Sequence, residues 1–356
     1  MSKSSTILNW KLVSINIGIG IILMFIVLVP SYVKALTVSP IRYEISGDPG
    51  QVLQEKLNLR NETTSPTTYY PHNYNFQAEG ETGVPTFVEP KDGLGTWIAG
   101  PAGITLAPGD NQTVIFVISI PKDAHPGGYF GALLYGTNPP NQNGAQLAIG
   151  SETGPIILLR VNGEIKESAS IVEFKIKNNQ KFFTALPVEM FYRFQNTGTD
   201  RTKPTGNLII KNIFGLKVKT ENANPVEGNV LPGQIRHFDL VWQKSDAPSL
   251  ETYADRTFFE QVGYEWRNFA FGYFTANLEL FYGADNAASA HSEVKFFVFP
   301  WQLLLIIIIV LAIIFFVLKT LIKRYNRWII LQAEMAIERA EKNNHRKEEK
   351  SFKRTI

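Results

Sequence analysis

Five histidines, His72, His125, His237, His291 and His345, are the side chains of this sequence whose ordinary titration range lies near neutrality, and they are scattered. There is no cysteine, so no thiolate can attack a substrate or hold a metal, and no disulfide can form. H-E-x-x-H, C-x-x-C and G-x-S-x-G are all absent. His125 precedes Pro126-Gly127 and reads as a turn residue rather than a base. No catalytic, cofactor-binding or metal-binding set is assigned, and the expectation is a protein that binds rather than catalyses. A triad assembled from distant residues, in a wall-modifying hydrolase, stands as a remote alternative.

The chemistry-bearing stretch is aromatic. Tyr253, Phe258, Phe259, Tyr264, Trp266, Phe269, Phe271, Tyr273 and Phe274 crowd one segment. Tyr264 and Trp266 alternate, as do Phe269, Phe271 and Tyr273, which predicts strands with one buried face. One reading is core plus a seam. The other is an exposed patch that stacks on sugar rings or anchors a protein partner, with Tyr253, Tyr264 and Trp266 as its binding aromatics. Trp266 also suits a membrane interface.

The element that must position this patch is Phe296–Leu318. It carries no charge and spans roughly 35 Å as a helix, enough to cross a bilayer. Lys319, Lys323, Arg324 and Arg327 follow it directly and predict a cytoplasmic C-terminus, with everything before the helix outside the cell membrane. Residues 1–35 carry three Lys and no acid, and residues 319–356 carry eleven Lys/Arg against five Glu, so the stretch between is net acidic. The formal charge of +3 therefore points to lipid headgroups at the ends, not to nucleic acid. Residues 1–35 read as a signal peptide, with small residues at Val33-Lys34-Ala35; an uncleaved anchor is the other reading.

Between the apolar segments lie short alternating runs broken by turns. Val114, Phe116, Ile118 and Ile120 make a clean period-two strand. The landmarks then repeat. Asn61-Glu62-Thr63 is matched by Asn196-Thr197-Gly198, Pro108-Gly109-Asp110 by Pro232-Gly233-Gln234, and Gly128-Tyr129-Phe130 by Gly272-Tyr273-Phe274. The expected fold is all-β: two tandem immunoglobulin-like β-sandwiches, a single transmembrane helix and a short cytoplasmic helix. The domains are set at 36–165 and 166–290, with Asp285–Ser292 as a polar stalk, 296–318 in the membrane and 319–356 as a basic tail. Residues 244–266 are where the second domain departs most from the first.

Ser39-Pro40, Pro49-Gly50-Gln51, Asn61, Leu106, Pro108-Gly109, Ile120-Pro121, Pro126-Gly127-Gly128-Tyr129 and Gly131 follow the signal in order. With a second β-domain, a membrane helix and a basic tail, this order resembles the WxL-interacting proteins of the bacterial cell surface. The resemblance implies a peptidoglycan-binding first domain and a second domain that binds protein partners. It rests on turn motifs, which assign no binding residues. The runner-up is an assembly chaperone of the pilus type that donates an edge strand to a secreted client.

Overall fold

The computed structural model describes residues 35–139, 152–244 and 256–352. Residues 1–34 of the segment read as a signal, the Gly/Asn-rich residues 140–151 and Tyr253 lie outside them. The chain divides into two compact units, one built chiefly from residues up to Lys166 and the other chiefly from Glu167 onward. Each unit is a pair of β-sheets.

In the first unit, one sheet has the order β1 (Leu36–Ser39), β3 (Val52–Asn61), β8 (Asn111–Ser119), β6 (Ile98–Ala99), all antiparallel. The other runs β2 (Arg42–Gly47), β10 (Ile156–Val161), β9 (Gly127–Gly136), β4 (Thr67–Glu79), β5 (Val84–Val88). In it β2 lies parallel to β10, and β7 (Ile104–Leu106) pairs with β4. Period two dictates the packing: Val114, Phe116 and Ile118 of β8 all point inward, as strand alternation requires. Phe116 meets the Tyr43 ring of the other sheet edge-on at 5.4 Å, closing the core. A single helical turn, α1 (Leu94–Trp97), buries Leu94 and lays the Trp97 ring 4.5 Å from Tyr129. Next to it Ile98 is core, while Trp97 is only half-buried.

The second unit pairs a three-stranded sheet, β11 (Ala169–Ile176), β13 (Val188–Asn196), β16 (Ile235–Trp242), with a five-stranded one. The latter runs β12 (Phe182–Phe183), β18 (Ala288–Val298), β17 (Gly272–Tyr282), β14 (Thr205–Asn212), β15 (Lys217–Asn222). Trp242 bridges the sheets, 4.8 Å from Phe274 and 5.8 Å from Phe296.

The repeated turns make the same bonds in both units. Asn61 donates its amide N–H to Asp110 O at 3.0 Å and accepts from Gly109 N–H at 2.8 Å. Asn196 does the same with Gln234 (3.0 Å) and Gly233 (2.9 Å). The side-chain amide of Asn61 donates to Leu106 O at 2.9 Å, that of Asn196 to Val230 O at 2.8 Å. Both asparagines are buried, which is tolerable because their polar atoms are paired.

Three boundaries differ from expectation. Asp285–Ser292 is not a stalk: a 3₁₀ turn at Ala284–Asn286 leads straight into β18, which pairs with β17 along its whole length. Small residues gave that strand no apolar alternation to read. The second unit therefore runs to Val298, not 290. Phe296–Val298 belongs to β18, with Phe296 and Val298 in the core, and the long helix α3 (Trp301–Phe352) starts only after Pro300. An apolar strand end and an apolar helix were continuous in composition, and the proline that cannot donate a backbone bond separates them. The helix runs unbroken into the basic tail. It is long and apolar enough to cross a membrane, and every side chain from Ile307 to Asn343 is exposed.

Candidate membrane-proximal site

Between β16 and β17, where alternation predicted strands at Tyr264 and Trp266, the chain forms a helix, α2 (Phe258–Arg267). Its start is written in Thr257-Phe258-Phe259-Glu260. Glu260 Oε2 accepts from both the amide and the hydroxyl of Thr257 at 2.8 Å, a capping box that satisfies groups the first turn leaves unpaired. Those bonds hold the Glu260 carboxyl below the usual range. Asn268 ends the helix, its amide donating to Tyr264 O at 2.9 Å.

The inner side of α2 carries Tyr264 and Glu265. Tyr264 is buried, donates its hydroxyl to the Leu186 carbonyl, and has the Arg256 guanidinium 4.0 Å over its ring. It helps line a cleft of about 350 Å³ against the loop from Lys177 to Pro187, where Lys177 pairs with Glu189 at 3.0 Å. Glu265 is fully buried, and its Oε2 accepts the Leu303 amide N–H at 2.8 Å. It thus caps the first turn of α3, where orphan N–H groups and the positive helix end favour a carboxylate. Burial pushes the Glu265 carboxyl above the usual range, against the pull of the Leu303 and Gln302 amides. The junction between sandwich and helix is therefore a buried hydrogen bond rather than a flexible tether.

Around the same end of the five-stranded sheet runs a chain of rings. Phe297 touches Phe182 (6.3 Å), Tyr273 (4.5 Å) and Phe299 (6.0 Å), and Phe299 touches Phe271 (6.0 Å). Trp301, at the helix start, lies 6.3 Å from Phe258 of α2. Phe182, Phe271, Tyr273, Phe299 and Trp301 are all exposed. Aromatic rings gathered where an apolar helix begins are the composition of a membrane–water interface.

Of the three expected binding aromatics, Tyr253 lies outside the described residues, and Tyr264 is buried, so it offers no open face for a sugar ring. Only Trp266 is exposed, at 68%, on the outer side of α2. Tyr264 and Trp266 face opposite sides of α2 and do not share a patch. Lys319, Lys323, Arg324 and Arg327 are exposed on α3, with Lys319, Lys323 and Arg327 at four-residue spacing along one side. Glu265 was missed because no local signal marks a carboxylate that caps a distant helix. The capping box Thr257–Glu260 was legible and would have identified α2. No group of three His, Asp or Glu that could hold a metal occurs among the described residues.

No family model matches the chain, and no curated protein matches it in sequence. Among solved structures it is similar to the class 5 fimbriae chaperone CfaA (TM-score 0.36, 11% identity, 73% of this chain and 98% of that one). It is also similar to the Escherichia coli chaperone DraB (0.32, 10%, 74% and 97%) and to the Pseudomonas aeruginosa CupB2 chaperone (0.30, 9%, 72% and 98%). Likenesses this distant carry no argument about what this chain does, and its assignment as an all-β pair of sandwiches with a C-terminal apolar helix rests on its own sheets.

Proposed function

We propose that this chain is a membrane-anchored binding protein of the bacterial cell surface. α3 is its anchor, Lys319, Lys323, Arg324 and Arg327 lie on the cytoplasmic side, and the two sandwiches outside engage cell-wall peptidoglycan or a surface protein partner. The observation that carries this reading is the exposed apolar helix leaving the last strand of a sandwich and followed at once by cations. Within it, the WxL-interacting resemblance assigns the wall polymer to the first unit and a protein partner to the second. Co-sedimentation of the full chain in detergent with isolated cell walls tests the binding role, and its absence at both low and high salt would remove the polymer from the proposal. Protease added to intact cells tests the orientation: residues 36–290 should be degraded and the Lys/Arg-rich tail spared.

A second reading, the assembly chaperone, is favoured by β11, an eight-residue strand that among the described residues pairs in its sheet only with β13. A strand of that length with one open edge can add a client strand. Capture of secreted subunits that lack a strand of their own would select this reading.

A further inference from the structure

One exposed apolar cluster has no role in the anchor described above. The hairpin between β14 and β15 turns through Ile213-Phe214-Gly215-Leu216, and the three large side chains are 68%, 83% and 64% exposed. A turn in water normally carries polar residues. This one is polar only at its root.

Strand register fixes where the tip lies. Asn212 is level with Phe274, and Phe274 with Phe296, while Gly272 is level with Val298, the last residue before the turn into α3. The tip therefore projects from the same end of the sheet as the anchor. β14 is two strands from β18 and β15 three, so the tip stands roughly 10–15 Å to the side of the point where the helix leaves the sheet. From Trp301 to Leu318 the helix offers about 18 residues, roughly 27 Å, against a hydrocarbon core of about 30 Å. That leaves no slack: the sheet end must sit at the headgroups if the helix spans.

Two further features suit lipid. The tip has little unpaired backbone to desolvate, because Asn212 Oδ1 accepts the amides of Phe214 and Leu216, each at 3.0 Å, and Asn212 O accepts that of Gly215 at 2.9 Å. Lys211 and Lys217 face each other across the hairpin root, an unfavourable like-charge pair in water that anionic headgroups would relieve.

We infer that the Ile213–Leu216 hairpin is a second membrane contact, an apolar foot that enters the headgroup region beside α3 and fixes the tilt of the second unit on an anionic bilayer. It rests on the helix spanning, which is the anchor of the proposed function. The chain has no native cysteine, so single labels can be placed without background. Full-length Phe214→Cys, Ile313→Cys and Ser289→Cys, each carrying an environment-sensitive fluorophore, are reconstituted in phosphatidylcholine/phosphatidylglycerol vesicles containing nitroxide lipids. Ser289, level with Phe281, marks the opposite end of the sheet. Quenching is expected at 214 by headgroup-level nitroxide and at 313 by acyl-chain nitroxide, with none at 289. Quenching at 313 while 214 behaves like 289 would overturn the foot, leave the anchor intact and hand the patch to a protein partner. No quenching at 313 would remove the anchor and the foot together.

Discussion

Replacing Glu265 by alanine should loosen the junction between the second sandwich and its helix. The buried Leu303 amide would lose its acceptor, which costs about 1–3 kcal/mol, and the helix end would lose a favourable carboxylate worth about 0.3–1 kcal/mol. Part of this is offset because an ionised carboxylate is itself penalised by burial, so a net loss of about 1–3 kcal/mol is expected. At about 2–4 °C per kcal/mol, thermal unfolding of the full chain in detergent should fall by about 2–12 °C at pH 7. Glu265→Gln keeps an oxygen acceptor without the charge and should stay within about 1 kcal/mol of the parent. The pH dependence has a definite sign. The folded carboxyl binds its proton more tightly than the unfolded one, so this group's contribution is complete below the ordinary carboxylate range and is lost as pH rises through the raised folded value. The parent should therefore gain stability on mild acidification, relative to Glu265→Gln, in the window between those two values. An alanine variant that melts with the parent, or a glutamine variant as damaged as alanine, would refute the cap.

Asn61→Ala and Asn196→Ala should each destabilise their own unit by about 2–4 kcal/mol, because each strands buried carbonyl and amide groups; chemical denaturation followed unit by unit checks that the two losses are similar. Thr257→Ala should fray the first turn of α2, read as faster amide exchange over Phe258–Gln261 with β17 unchanged. Trp97→Ala should cost the first unit about 1–3 kcal/mol, less than a fully buried tryptophan, since its ring packs on Tyr129 while partly open to solvent; a melting curve unmoved by the change would place the ring outside the core.

Where a periodic or chemically local signal met no competing one, the residues alone determined the outcome. Val114, Phe116 and Ile118 could bury one face only as a strand, and charge-free residues up to Leu318 followed by cations could make only a helix suited to a membrane. The paired Asn and Pro-Gly turns marked two like units. What the tertiary structure decided was where such signals compete or act at a distance. Aromatics at Tyr264 and Trp266 fit a strand's alternation, but the capping box and the fit of Tyr264 against Leu186 made that stretch helical, turning Tyr264 inward and Trp266 outward. Small residues from Ala288 to Ser292 hid a strand segment that pairing with β17 stabilises. Glu265 acquired its role because folding brings it to an amide 38 positions away, and no sequence window contains both groups.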